Sequence, residues 1–137
     1  MTHDDLAYLC AAAALAGLIA YALLGGADFG GGVWDMLASG PRKNQQRHAV
    51  AHAMGPVWEA NHIWLIFVLV TLFTCFPRGY SALCVGLFIP LHLTLLGIML
   101  RGAAFIFRKF GAAPHGWGRV FGVASIISPI LLGASFG

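Results

Sequence analysis

Charge is what this sequence has least of. Only 9% of its 137 residues are Asp, Glu, Lys or Arg, with five acids against eight bases, where soluble usage is about 25%. That excludes a conventional soluble domain, and a mean hydropathy of +0.81 excludes a disordered one, which needs high charge and low hydrophobicity. Cysteine is almost as scarce: Cys10, Cys75 and Cys84 show no CxxC spacing, so neither a disulfide framework nor a zinc site is suggested. No continuous basic stripe exists either. The bases sit in short clusters between apolar runs, which is orientation charge and excludes a nucleic-acid partner.

What is present is hydrophobic residue, 59% of the chain, arranged in four runs. The first covers about 6–24 and is preceded by Thr2-His3-Asp4-Asp5, which lacks the basic region of a cleavable signal peptide and so marks a permanent helix. A Gly-rich stretch, Gly25-Gly26-Ala27-Asp28-Phe29-Gly30-Gly31-Gly32, and a polar loop from Gly40 to His48 follow. The second run covers about 57–76 and stops at Pro77-Arg78-Gly79; the third covers 80–107 and the fourth 117–137. Each is near the ~20 residues a spanning helix requires. The expected fold is an all-α, polytopic bundle of four transmembrane helices.

The bases then orient it. Arg42, Lys43 and Arg47 lie in the first connection and Arg108, Lys109 and Arg119 in or beside the third, whereas the second holds only Arg78. Connections one and three are therefore expected in the cytoplasm and the amino terminus outside, a multi-pass arrangement in a plasma membrane. The fourth run stops at Ser135-Phe136-Gly137 without a polar tail. The expectation drawn from this is a fragment of a longer polytopic subunit.

Chemistry at membrane depth must come from the few polar residues there, because an ionisable group in lipid costs at least about 2.5 kcal/mol. They are densest in Gly55-Pro56-Val57-Trp58-Glu59-Ala60-Asn61-His62-Ile63-Trp64-Leu65. Glu59 and His62 are three apart, as are Trp58 and Asn61, and on a helix such pairs share a side. One reading is a proton path, with Glu59 as a titrating carboxylate near the cytoplasmic end of the second helix and His62 and Asn61 as relays. The other is an interface motif, with Trp58 and Trp64 in an aromatic belt and Glu59 paired to a base. His48, His52, Glu59 and His62 would share a face, as a metal site requires, only on a continuous helix, and Gly55-Pro56 argues against continuity.

Arg101 and Arg108 are seven apart on the third helix. Arg108 reads as a snorkelling anchor, while Arg101, two turns deeper, needs a carboxylate, for which Glu59 and Asp28 are the candidates. Asp28 itself is expected to cap or pair among its glycines, and Asp35 to be an interfacial charge on a short amphipathic turn. His92 is expected to hydrogen-bond a neighbouring helix, with haem ligation as the lesser alternative.

Three of these stretches carry a resemblance. Gly26-Ala27-Asp28-Phe29-Gly30-Gly31-Gly32, Pro56-Val57-Trp58-Glu59-Ala60-Asn61-His62-Ile63-Trp64 and Arg101-Gly102-Ala103-Ala104-Phe105-Ile106-Phe107-Arg108 resemble the GxDxGxG, PxW(D/E)xNxxW and RxxxFxxR signatures of subunit II of bd-type quinol oxidases. The resemblance covers nearly the whole chain in order and implies the amino-terminal half of an eight-helix subunit built as two bundles. It further implies a bacterial inner-membrane terminal oxidase that oxidises quinol and reduces dioxygen to water. Haems b and d would belong to the partner subunit I, with no cofactor or metal held by this chain alone, lipid and a structural quinone as contacts, and small accessory subunits as further partners. Glu59 would be the proton-path carboxylate flanked by Trp58 and Asn61, with Asp28, Arg101, Arg108 and Trp64 as structural or ion-pair residues. The competing class is a small proton or ion translocator whose pathway is lined by Glu59, His62 and Arg101.

Overall fold

A computed structural model describes residues 2–110 and 114–136, with the side chains of Lys109, Phe110, Pro114, His115 and Phe136 left aside. Residues 111–113 of the third connection, the side chains of Lys109 and His115, and the final Gly137 thus lie outside the described residues. Five helices follow in order: α1 (His3–Leu37), α2 (Lys43–Cys75), α3 (Pro77–Gly86), α4 (Phe88–Phe110) and α5 (Pro114–Phe136). Four contain stretches long and apolar enough to cross a membrane, His3–Leu37, Lys43–Cys75, Phe88–Arg108 and Gly116–Ser135. The chain is a multi-pass membrane protein.

Each helix departs from the expected boundaries for a physical reason. Thr2 caps α1, accepting from the Asp5 backbone while the Asp5 carboxylate accepts from Thr2 N–H at 2.7 Å. The Gly-rich stretch does not end the first helix, which runs on to Leu37. In lipid a backbone must satisfy its own hydrogen bonds, so glycine stays helical and supplies close approach instead. A side chain at Gly31 would strike Met54 of α2, and one at Gly32 would strike Ser125 of α5. Pro56 likewise fails to break α2, which is continuous from Lys43. Its missing donor costs one bond in a helix that gains more from remaining closed.

The third apolar run is two helices, not one. Leu87 separates α3 from α4, and Pro90 in the first turn of α4 has no N–H with which to continue the preceding ladder. Pro77 opens α3 at its first turn, the helical position where a missing N–H is harmless.

α1 packs along α2 and against α5, and α4 packs along α5. The interior is small and holds buried polar residues beside apolar ones. Its largest fully buried side chains are Asp28, Asp35, Ser125 and Ser128, whereas Leu23, Phe88, Ile89, Met99 and Ile130 are exposed. A lipid-facing bundle has this distribution because tails solvate aliphatic surface as well as a core does, and only polar groups gain by hiding together.

Candidate functional site

Asp28 and Asp35 are seven residues apart on α1, and Arg101 and Arg108 have the same spacing on α4. Seven residues are nearly two turns, so each set lies on one helix face about 10 Å apart. The two helices run parallel, and the matched spacings give two rungs. On the inner rung, Arg101 Nη1 donates to Asp28 Oδ2 at 2.8 Å and Nη2 lies 2.8 Å from Oδ1, with a further bond from Nη2 to the Asp28 backbone carbonyl. Arg101 Nε donates to Ser125 Oγ at 2.9 Å, which donates in turn to the Phe121 carbonyl at 2.7 Å. Asn61 Nδ2 donates to Asp28 Oδ2 at 3.3 Å. All four helices of the bundle thus meet at one carboxylate and one guanidinium, which are only 2% and 3% exposed.

The second rung is bidentate, Arg108 Nη1 and Nη2 each donating to an Asp35 oxygen at 2.7 Å. Arg47 of α2 adds a bond to the Asp35 carbonyl at 3.1 Å. The Phe121 ring lies near both rungs, 4.9 Å from the Arg101 guanidinium and 6.0 Å from that of Arg108, and the Phe29 ring lies 5.1 Å from the Arg101 guanidinium. Aromatic faces attract a cation in this way where water is excluded.

These rungs correct the readings of Asp35 and Arg108 and decide between the two carboxylates expected for Arg101. Asp35 is no interfacial charge on a separate turn: it is buried within α1. Arg108 is an ion-pair partner more than a snorkelling anchor. Arg101 takes Asp28 and leaves Glu59 out, so its charge is neutralised within the bundle.

Glu59 is exposed and has no hydrogen-bond or ion-pair partner among the described residues. Nor is it in the first turns of its helix. With α2 starting at Lys43, Glu59 stands about 24 Å along it, beside the level of Gly25, which faces Asn61. Because α2 is continuous, His48, His52, Glu59 and His62 do form one stripe, and all four are exposed. Among the described residues no group of three or more His, Cys, Asp or Glu is arranged to hold a metal.

Trp58 is half-buried, stacked at 6.0 Å on His62 and 6.2 Å on Phe105. It rests on Gly102, where a Cβ would come within 3.3 Å of the indole. Trp64 is at the surface, edge-on to Phe67 at 5.9 Å. Tyr21, Asp28, Asn61, His62 and Arg101 line a narrow cleft between α1, α2 and α4, of a size to admit about one water. Tyr21 Oη and Asn61 Oδ1 reach it without a protein partner. His92 is exposed, and its Nδ1 bonds the Phe88 carbonyl of its own helix at 2.7 Å, not a neighbouring helix as expected.

Sequence reasoning missed Asp35, Tyr21 and Ser125. For Asp35 a signal existed in the repeated seven-residue spacing. For Ser125 none did, since an intramembrane serine ordinarily bonds its own helix, and this one does both.

The family profile described as Cytochrome bd terminal oxidase subunit II matches residues 6–137. The chain belongs to that family. It is 32% identical over 123 residues to the Cytochrome bd ubiquinol oxidase subunit 2 of Bacillus subtilis (strain 168), covering 86% of this chain and 35% of the relative. It is 27% identical over 125 residues to the Cytochrome bd-I ubiquinol oxidase subunit 2 of Escherichia coli (strain K12), covering 88% of this chain and 32% of that relative. The chain therefore spans about a third of its relatives' length, less than the half expected from the resemblance. No solved structure matches it.

Proposed function

We propose that this chain is the amino-terminal bundle of the non-haem subunit of a bd-type quinol oxidase in a bacterial inner membrane, and that its exposed α2 stripe forms one wall of a proton path. The parent complex oxidises quinol and reduces dioxygen to water, with haems b and d in the partner subunit I; lipid and a structural quinone are further contacts of this subunit. Basic connections one and three support a cytoplasmic location for the Asp35–Arg108 end. The observation that carries the reading is the contrast between carboxylates. Asp28 and Asp35 are buried and held by arginines, whereas Glu59 is exposed and unpartnered among the described residues at the same depth as the inner rung. Fixed charges hold helices together; a carboxylate that must take up and release a proton needs freedom from such a clamp. The stripe runs from His48 near the start of α2 to His62, and the cleft beside His62 leads to Asn61 and Trp58. The opposite wall is the partner's to supply, since Glu59 faces out of the bundle.

The test is made in the assembled oxidase, measuring oxygen consumption per haem beside subunit content. Glu59→Asp keeps a titrating group and should retain much of the activity. Glu59→Gln should slow turnover by about tenfold or more with assembly intact. Full turnover in an intact Glu59→Gln complex would remove Glu59 from the path.

A further inference from the structure

Contacts along the α1–α2 interface set an antiparallel register. Gly31 lies against Met54, Gly25 against the Asn61 amide, and Gly17 against Phe67 and Val68. Seven residues before Gly17 is Cys10, and seven residues after Val68 is Cys75. A step of nearly two turns on each helix preserves the facing sides. The register therefore brings the two cysteines opposite each other, and both are free thiols in the structure. Cys10 is half-buried and Cys75, the last residue of α2, is exposed. Cys84 is on α3, outside this register. The pair lies at the end of the bundle remote from Asp35 and Arg108, where the chain turns through Phe76 into Pro77.

We propose that Cys10 and Cys75 form a disulfide that ties the first two membrane spans together at the outer face. The proposal rests on the orientation given under the proposed function, which puts this end in the oxidising compartment where disulfides persist. The electrons leave by thiol–disulfide exchange with a disulfide-bearing oxidant of that compartment. The Cys75 thiolate, the more accessible, attacks the donor's S–S bond and releases one donor thiolate. The Cys10 thiolate then displaces the second donor sulfur from the mixed disulfide. In sum two thiols lose two protons and two electrons, one S–S bond forms, and the donor's S–S bond is reduced to two thiols. The cross-link needs no new contact in the folded bundle. It joins helices already in register, restricting the chain chiefly when they separate.

The experiment uses the full-length subunit in the assembled oxidase. Membranes are denatured in N-ethylmaleimide, reduced, and treated with a second, heavier alkylating reagent before peptide mass mapping. Cys84 should carry the first label. Cys10 and Cys75 should carry the second, with a linked Cys10–Cys75 peptide in unreduced samples, and Cys10→Ser should move Cys75 to the first label. An alkaline phosphatase fusion after Arg78 is read in parallel. First label on Cys10 and Cys75 with an active fusion overturns the disulfide alone. First label with an inactive fusion overturns the orientation as well, because the pair then lies in the reducing cytoplasm.

Discussion

The Asp28–Arg101 pair shows how much one residue can be asked to hold in a membrane. Asn61, Arg101 and, through it, Ser125 all converge on Asp28, so each transmembrane helix places a polar group at a single point. Removing one partner of a buried pair leaves a desolvated charge, which costs about 3–5 kcal/mol, while replacing both by apolar residues is often nearly neutral. Asp28→Asn should therefore destabilise the subunit by about that amount, read as subunit lost from the complex on heating in detergent. The double variant Asp28→Leu with Arg101→Met should recover most of the loss. If the double variant is as unstable as the single one, the pair is not what holds the helices. Asp35→Asn should do less harm, because Arg108 is 19% exposed and can still reach water.

At the scale of the helix, glycine has two distinct meanings in α1. Gly31 and Gly32 lie where a side chain would strike a neighbouring helix, whereas Gly26 and Gly30 have nothing within 4 Å. Gly32→Val should push α1 from α5 and lower the yield of assembled subunit. Gly26→Val should leave that yield close to the parent's. The comparison is made by quantitative blotting of purified complex, and equal losses at both positions would mean that helix flexibility, not close approach, is what these glycines supply. This contrast was not legible in the run Gly25 to Gly32, where all the glycines look alike and the stretch reads as a break. Packing decides which of them matter.

At the scale of the molecule, the buried polar cluster and apolar surface make the bundle a membrane body, and its basic connections predict a direction. Fusions of a topology reporter after Lys43 and after Lys109 should read cytoplasm, and one after Arg78 should read the outside. The reverse pattern would place the Glu59 stripe on the wrong side for proton uptake from the cytoplasm. The stripe also bears on assembly. His48, His52, Glu59 and His62 lie exposed on one continuous helix, and an ionisable face of that kind is costly against lipid. A partner surface that covers it removes the cost.

The number of crossings and the family were determined by the sequence alone, because hydropathy needs only composition over ~20 residues and the three motifs only local order. It also narrowed the partner of Arg101 to two acids. Which acid it takes was settled by tertiary structure, since Asp28 and Glu59 differ in the face of the helix they occupy, and a face has meaning only once the neighbours are in place. The same holds for Asp35, which reads as a surface charge until α4 brings Arg108 to it at 2.7 Å. Helix continuity through Pro56 and the glycines was likewise beyond local propensity. Propensity measures the cost of a residue in water, and in a bilayer an open backbone costs more than any proline or glycine does.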